Sequence, residues 1–163
     1  MRKKNIAVID DDPCVISYLR TALTRRMPDA EVFGFVEPVA PAGFDVYVVD
    51  REFDGANRGQ EVMRRIRAVS PGSLVVAYSG NLDREFLRAL LRDGCGGAFD
   101  KGDVKEVDDM IDFVELHFSE QRSGSSVFRD LGNTIRAISG LLHEWNLRLA
   151  NDGRAYAKTS GDR

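Results

Sequence analysis

The chain has 163 residues, 43% of them hydrophobic and 30% charged, with a formal net charge of −3. That hydrophobic share is too high for a disordered chain, and no apolar run approaches the roughly 18 residues of a membrane helix. The apolar stretch behind the basic Met1-Arg2-Lys3-Lys4 is shorter than the about 7–15 residues of a signal-peptide core, so a cytoplasmic protein away from membranes is expected.

The mild acidity gives no support to a nucleic-acid role. Cys14 and Cys95 make neither a disulfide framework nor a zinc site, and are expected as buried small apolar groups.

In chain order, residues 5–9 form an apolar run that stops at Asp10-Asp11-Asp12-Pro13. Continuous apolar runs of this length suit strands buried on both faces, as in a parallel sheet covered by helices. Val15, Ile16, Leu19, Ala22, Leu23 and Met27 then recur at helical spacing, with Pro13 suited to a first turn. Residues 31–36 predict a second strand and 45–50 a third, which again ends on an acid, Asp50.

After a polar loop, Val62, Met63, Ile66 and Val69 mark a helix that Pro71-Gly72 stops. Residues 73–78 predict a fourth strand, followed by Ser79. Phe86, Leu87, Leu90 and Leu91 mark the next helix. Residues 97–100 predict a short fifth strand leading to Lys101, and Val104, Val107, Ile111, Val114 and Phe118 a last helical stripe.

Strands alternating with helices imply an α/β doubly wound fold, a five-stranded parallel sheet with helices on both faces. The count is five strand–helix units, and so five helices, by about residue 118.

In such sheets the functional crevice lies beyond the carboxyl ends of the strands. Asp10, Asp11, Asp12, Asp50, Ser79 and Lys101 all follow strands and so meet at one edge. Crowded carboxylates repel one another, so one is protonated or a cation is bound. Oxygen ligands suit magnesium, typically held by one or two carboxylates plus phosphate oxygens. An ion, an ammonium and a hydroxyl around one further carboxylate form a site for a phosphoryl group. Asp50 is then the nucleophile of an aspartyl phosphate.

On these residues, positions 4 to about 120 resemble the receiver domain of two-component response regulators, a flavodoxin-like fold. Asp10 and Asp11 match the family's acidic pair, Asp50 its phosphoacceptor, Ser79 its switch hydroxyl and Lys101 its lysine. The resemblance implies that Mg2+ is ligated by Asp11 and Asp50, by Asp10 through water, and by the backbone carbonyl of Glu52. It also implies a histidine kinase or phosphotransfer protein as partner. The chemistry would be that of a signalling phosphoacceptor, limited to self-phosphorylation and slow self-dephosphorylation.

Four positions depart from the family pattern. Asp54 and Arg58 stand where a proline and a glycine are usual, with Gly59 one step late, which predicts a one-residue insertion in the loop. Gly102 replaces the proline after the lysine. Ala98 occupies the position of the aromatic switch, with Phe99 next door on the opposite face. A phosphatase of the haloacid dehalogenase type also uses an aspartyl phosphate, lysine and magnesium. Its Asp-x-Asp motif after the first strand is poorly matched by Asp10-Asp11-Asp12-Pro13-Cys14. A phosphorylation-independent scaffold is the other alternative.

The receiver is expected over 1–120, followed by a polar linker at 121–126. In 127–150, Phe128, Leu131, Ile135, Ile138, Leu142, Trp145 and Leu149 are spaced 3, 4, 3, 4, 3, 4, a heptad seam. Gly132 and Gly140 each cost such a helix roughly 1 kcal/mol, so it needs a packing partner. A homodimer through residues 127–149 is expected, with folding back as the intramolecular alternative. Phe128-Arg-Asp-Leu-Gly-Asn resembles the dimerisation helix of histidine kinases, with Arg129 in the histidine's place. Residues 151–163 have no apolar period and read as a disordered tail. The chain beyond the receiver is too short for a helix-turn-helix domain, so output through protein contacts and no nucleic acid is expected.

Overall fold

The structure, a computed structural model, describes residues 3–123. The expected dimerisation helix (127–150), the disordered tail (151–163) and the end of the linker lie outside the described residues.

Five strands form one parallel sheet: β1 (Lys4–Ile9), β2 (Ala30–Phe35), β3 (Val46–Val49), β4 (Leu74–Ser79) and β5 (Gly97–Asp100), in the order β2-β1-β3-β4-β5. Every residue of β3 and β4 is buried, as their unbroken apolar runs require for strands covered on both faces. The order reverses between β1 and β3, which opens a crevice at their carboxyl ends.

Among the described residues, four helices accompany the sheet. In α1 (Pro13–Arg26) the Asp12 side chain caps the first turn by accepting from the Cys14 amide at 2.8 Å. Its buried stripe is Ile16, Leu19 and Leu23. α4 (Val104–Ser123) buries Val107, Met110, Ile111, Val114 and Phe118, and continues through 121–123, residues expected in a linker. Together α1 and α4 enclose a core with Ile6, Val8, Val46, Val48, Val76, Tyr78 and Phe99. Residues alternate along each strand, so Ala7, Ile9, Tyr47, Val49, Val75 and Ala77 face the other way. α2 (Gly59–Val69) and α3 (Arg84–Arg92) contribute buried Val62, Met63, Ile66, Phe86, Leu87 and Leu90.

The expectation of five helices is corrected here. No helix joins β2 to β3; residues 36–45 are irregular. Pro38 and Pro41 remove backbone donors there, and Gly43 has φ +93°, so ten residues cannot hold a helical turn ladder. Phe44 serves in its place. Its ring packs edge-on against Phe33, Phe35 and Tyr47, with centroids 5.4, 5.8 and 5.7 Å away. The cover is incomplete, and Phe33 and Val36 remain 43% and 50% exposed.

The cysteines divide. Cys95 is buried, as expected, and burial pushes its thiol up to about 11. Cys14 is exposed, because it lies in the first turn of α1, ahead of the stripe that starts at Ile16. Among the described residues, no helix is long and apolar enough to cross a membrane.

Candidate active site

Strand pairing continues one residue past β1, β3 and β5, and this sets the site. The amide of Asp10 donates to the Phe35 carbonyl at 3.0 Å, that of Asp50 to Ile9 at 2.9 Å, and that of Lys101 to Ser79 at 3.2 Å. Asp10, Asp50 and Ser79 are buried polar residues at this edge. The Lys101 ammonium bridges the two acids, with Nζ 2.7 Å from Asp10 Oδ2 and 2.8 Å from Asp50 Oδ2.

The remaining oxygens are also engaged. Asp10 Oδ1 accepts from the Asp12 amide at 3.0 Å and Asp50 Oδ1 from the Arg51 amide at 2.6 Å. Asp11 Oδ2 accepts from the Asp54 amide at 2.8 Å, which ties the acid to the loop after β3. Asp10, Asp11 and Asp50 each offer a carboxylate oxygen within 4.8 Å of the others.

Burial pushes the Asp10 carboxyl above its ordinary range, against the hydrogen bond and charge of Lys101. Burial alone would lower the Lys101 ammonium, but its bonds to Asp10 and Asp50 and their charges prevail and raise it. One ammonium among three carboxylates leaves an excess of negative charge. An oxygen-only donor set of this charge fits a hard divalent cation such as magnesium.

The sequence-predicted residues fall as follows. Asp10, Asp11, Asp50 and Lys101 are brought together. Ser79 stands at the end of β4, where its Oγ accepts from the Asn81 amide at 3.4 Å. The Glu52 side chain accepts from Asn81 Nδ2 at 3.2 Å and is outside the three-carboxylate group. Asp12 is spent on the helix cap.

The loop after β3 closes in a tight turn. Phe53 and Ala56 exchange backbone hydrogen bonds of 2.9 and 3.0 Å, and Asp54 and Gly55 between them have φ +52° and +74°. Two positive φ values in an Asp-Gly pair mark a type I′ turn. Gly59 then passes so close to β3 that a Cβ there would lie 2.0 Å from the Asp50 carbonyl oxygen. After Lys101 there is no cis peptide, and none elsewhere among the described residues. Ala98 is buried on the α2/α3 side, whereas Phe99 packs in the α1/α4 core, 5.9 Å from the Phe113 ring.

Sequence reasoning missed Arg51 and Asp83. Arg51 Nη1 bonds the Asn81 carbonyl at 2.9 Å and Asp83 Oδ2 at 2.6 Å, and its guanidinium lies 4.7 Å from the Phe86 ring centroid. Asp83 is the N-cap of α3, and the Phe86 amide, then Arg51, holds its carboxyl below the usual range. An Asp ahead of the Phe86-Leu87 stripe was the available signal for that cap.

Solved structures share this architecture. The chain has the fold of response-regulator receiver domains. A CheY-like receiver domain protein from Methanospirillum hungatei superimposes with a TM-score of 0.66 at 17% identity, over 76% of this chain and 99% of that one. A Francisella response-regulator receiver domain gives 0.61 at 16% identity, over 73% and 99%. A Burkholderia pseudomallei response regulator with a phosphorylated aspartic acid and a calcium ion gives 0.59 at 18% identity, over 77% and 74%. No family model matches the chain, and no curated protein matches its sequence.

Proposed function

We propose that this chain is a cytoplasmic response-regulator receiver that takes a phosphoryl group onto Asp50 from a histidine kinase or phosphotransfer protein. The observation that carries the reading is Lys101 bridging Asp10 and Asp50 beside a third carboxylate, Asp11. A phosphorylated aspartic acid and a metal ion in the Burkholderia structure support it.

In this reading an Asp50 carboxylate oxygen attacks phosphorus, the P–N bond of a phosphohistidine breaks, and its electron pair returns to the imidazole nitrogen. Lys101, within hydrogen-bond reach of Asp50, neutralises a phosphoryl oxygen, and the Ser79 hydroxyl donates to another. Asp10, Asp11 and Asp50, with the Glu52 carbonyl, are the residues that would hold Mg2+. When bound, the ion supplies further neutralisation of phosphoryl charge.

Acetyl phosphate with magnesium should add one phosphate to the protein, at Asp50, and none to Asp50→Ala. Failure to modify the protein, or modification at another residue, would overturn the assignment.

Output passes through protein contacts and not DNA. The heptad seam in 127–149 supports a homodimer, so the full chain should sediment as a dimer at micromolar concentration and a chain ended at Ser123 as a monomer. A monomeric full chain refutes it. Ala98, with no ring at the switch position, favours a second reading in which partner docking ignores phosphorylation. A change in oligomeric state or partner affinity on adding beryllofluoride counts against that reading.

A further inference from the structure

Between α2 and α3 lies an open cleft of about 480 Å3, within the ~300–1,000 Å3 range of small-molecule sites. Three elements supply its arginines: Arg51 from the loop after β3, Arg64 from α2, and Arg88 and Arg92 from α3. Buried Phe86 and Ala89 add apolar surface, and Glu85 is the one acid among the lining residues.

Four like charges around one gap do nothing for the fold by themselves. Asp93 partly answers them, bonding Arg64 Nε at 3.1 Å and Arg92 Nε at 3.3 Å. Both contacts use Nε, so the terminal nitrogens of Arg64 and Arg92 keep their donors unspent among the described residues. Arg88 makes no hydrogen bond or ion pair among the described residues. Asp93 thus anchors two guanidinium groups by their stems and leaves their outer donors free.

Guanidinium groups take phosphate oxygens two at a time, so four of them around one cleft are matched better by two phosphate groups than by one. An acidic peptide would be better served by a charged strip along one helix than by a concavity. We propose that the α2–α3 cleft binds a small molecule carrying two or more phosphate groups.

The cleft also touches the candidate active site through one residue. The Arg51 amide bonds Asp50 Oδ1, while its side chain lines the cleft and is held by Asp83 and Asn81. A ligand that draws on Arg51 competes with those two partners. The binding itself does not rest on Asp50 being a phosphoacceptor.

Calorimetry on the full chain in EDTA tests the proposal, with pyrophosphate and ADP as probes, orthophosphate as the single-phosphate control and decaglutamate as the peptide control. Pyrophosphate or ADP should bind with Kd below about 1 mM, and orthophosphate at least ~10-fold more weakly. Arg88→Gln and Arg92→Gln should each weaken binding about 10-fold or more, as loss of a charge-assisted bond does. Arg88→Gln should leave the circular dichroism and acetyl phosphate labelling unchanged, which separates this site from Lys101. No binding of either probe, undiminished binding in Arg88→Gln, or orthophosphate binding as tightly would overturn the proposal. Decaglutamate binding more tightly than pyrophosphate would also overturn it, and would assign the cleft to an acidic peptide.

Discussion

Replacing Lys101 with Met keeps most of the side-chain volume and removes the ammonium that bridges Asp10 and Asp50. The two carboxylates are then buried against each other with no side-chain cation between them. Protonating one at pH 7, against an ordinary Asp pKa near 4, costs at most about 4 kcal/mol. Removing one partner of a buried pair typically costs about 3–5 kcal/mol. The Lys101 side chain is 21% exposed, which permits some solvent relief and moves the expectation down to about 2–4 kcal/mol. The deficit should shrink as pH falls, because the raised Asp10 carboxyl takes up its proton earlier in the folded chain than in the unfolded one. Magnesium should reverse much of it, since an ion at 100 times its Kd returns about 2.7 kcal/mol. Urea unfolding followed by circular dichroism, in EDTA and at stepped magnesium, reads both effects. A loss below about 1 kcal/mol in EDTA, or a magnesium effect no larger than in the parent, would refute the three-carboxylate pocket.

Gly59→Ala puts a methyl group 2.0 Å from the Asp50 carbonyl oxygen and 2.7 Å from the Arg51 Cα, both rigid backbone. Overpacking of about 1–3 kcal/mol or more outweighs the helix-propensity gain of at most ~1 kcal/mol, so stability should fall by about 2 kcal/mol. Thermal melts should show a drop of roughly 5–10 °C, with Gly72→Ala, which meets nothing within 4 Å, near the parent. A Gly59→Ala protein as stable as the parent would count against this close approach. For His117, burial lowers the imidazole pKa against the pull of the Asp45 charge, so the fold favours the neutral ring. Its contribution is complete above about pH 6.5 and declines as pH falls through that value toward the lower folded pKa. Urea midpoints between about pH 7.5 and 5 should fall less steeply in His117→Gln, and parallel profiles would exclude the effect.

The strands were legible because β1, β3 and β4 are apolar runs buried on both faces, each ending abruptly on a polar residue. That same abruptness located Asp10, Asp50 and Ser79, and Lys101 follows the shorter β5, since a parallel sheet gathers its carboxyl ends at one edge. The helix count was not legible, because alternation counts crossovers and does not ask what each is made of. Two prolines and a left-handed glycine in ten residues carried the contrary signal. The exposure of Cys14 follows from helical phase: the buried stripe of α1 runs 16, 19, 23, and position 14 lies outside it. Arg51 escaped because its contacts are to a loop carbonyl, a capping carboxylate and a ring face, none of which has a period in the sequence.

Strand geometry also explains how the site forms with no ring at position 98. Asp10, Asp50 and Lys101 are held by backbone bonds that extend the ladder, and these bonds do not involve the side chains at 98, 99 or 102. A ring is different, because moving an aromatic by one residue along a strand carries it to the other face of the sheet. Phe99 accordingly packs under α4 with Phe113, Val107 and Val114, while Ala98 offers no ring on the α2/α3 side. The side chain that does link the neighbourhood of Asp50 to a helix on that side is Arg51, bonded to the N-cap of α3 and lying on Phe86. Arg51 and Asp83 thus form a continuous polar connection from the backbone beside Asp50 to the start of α3.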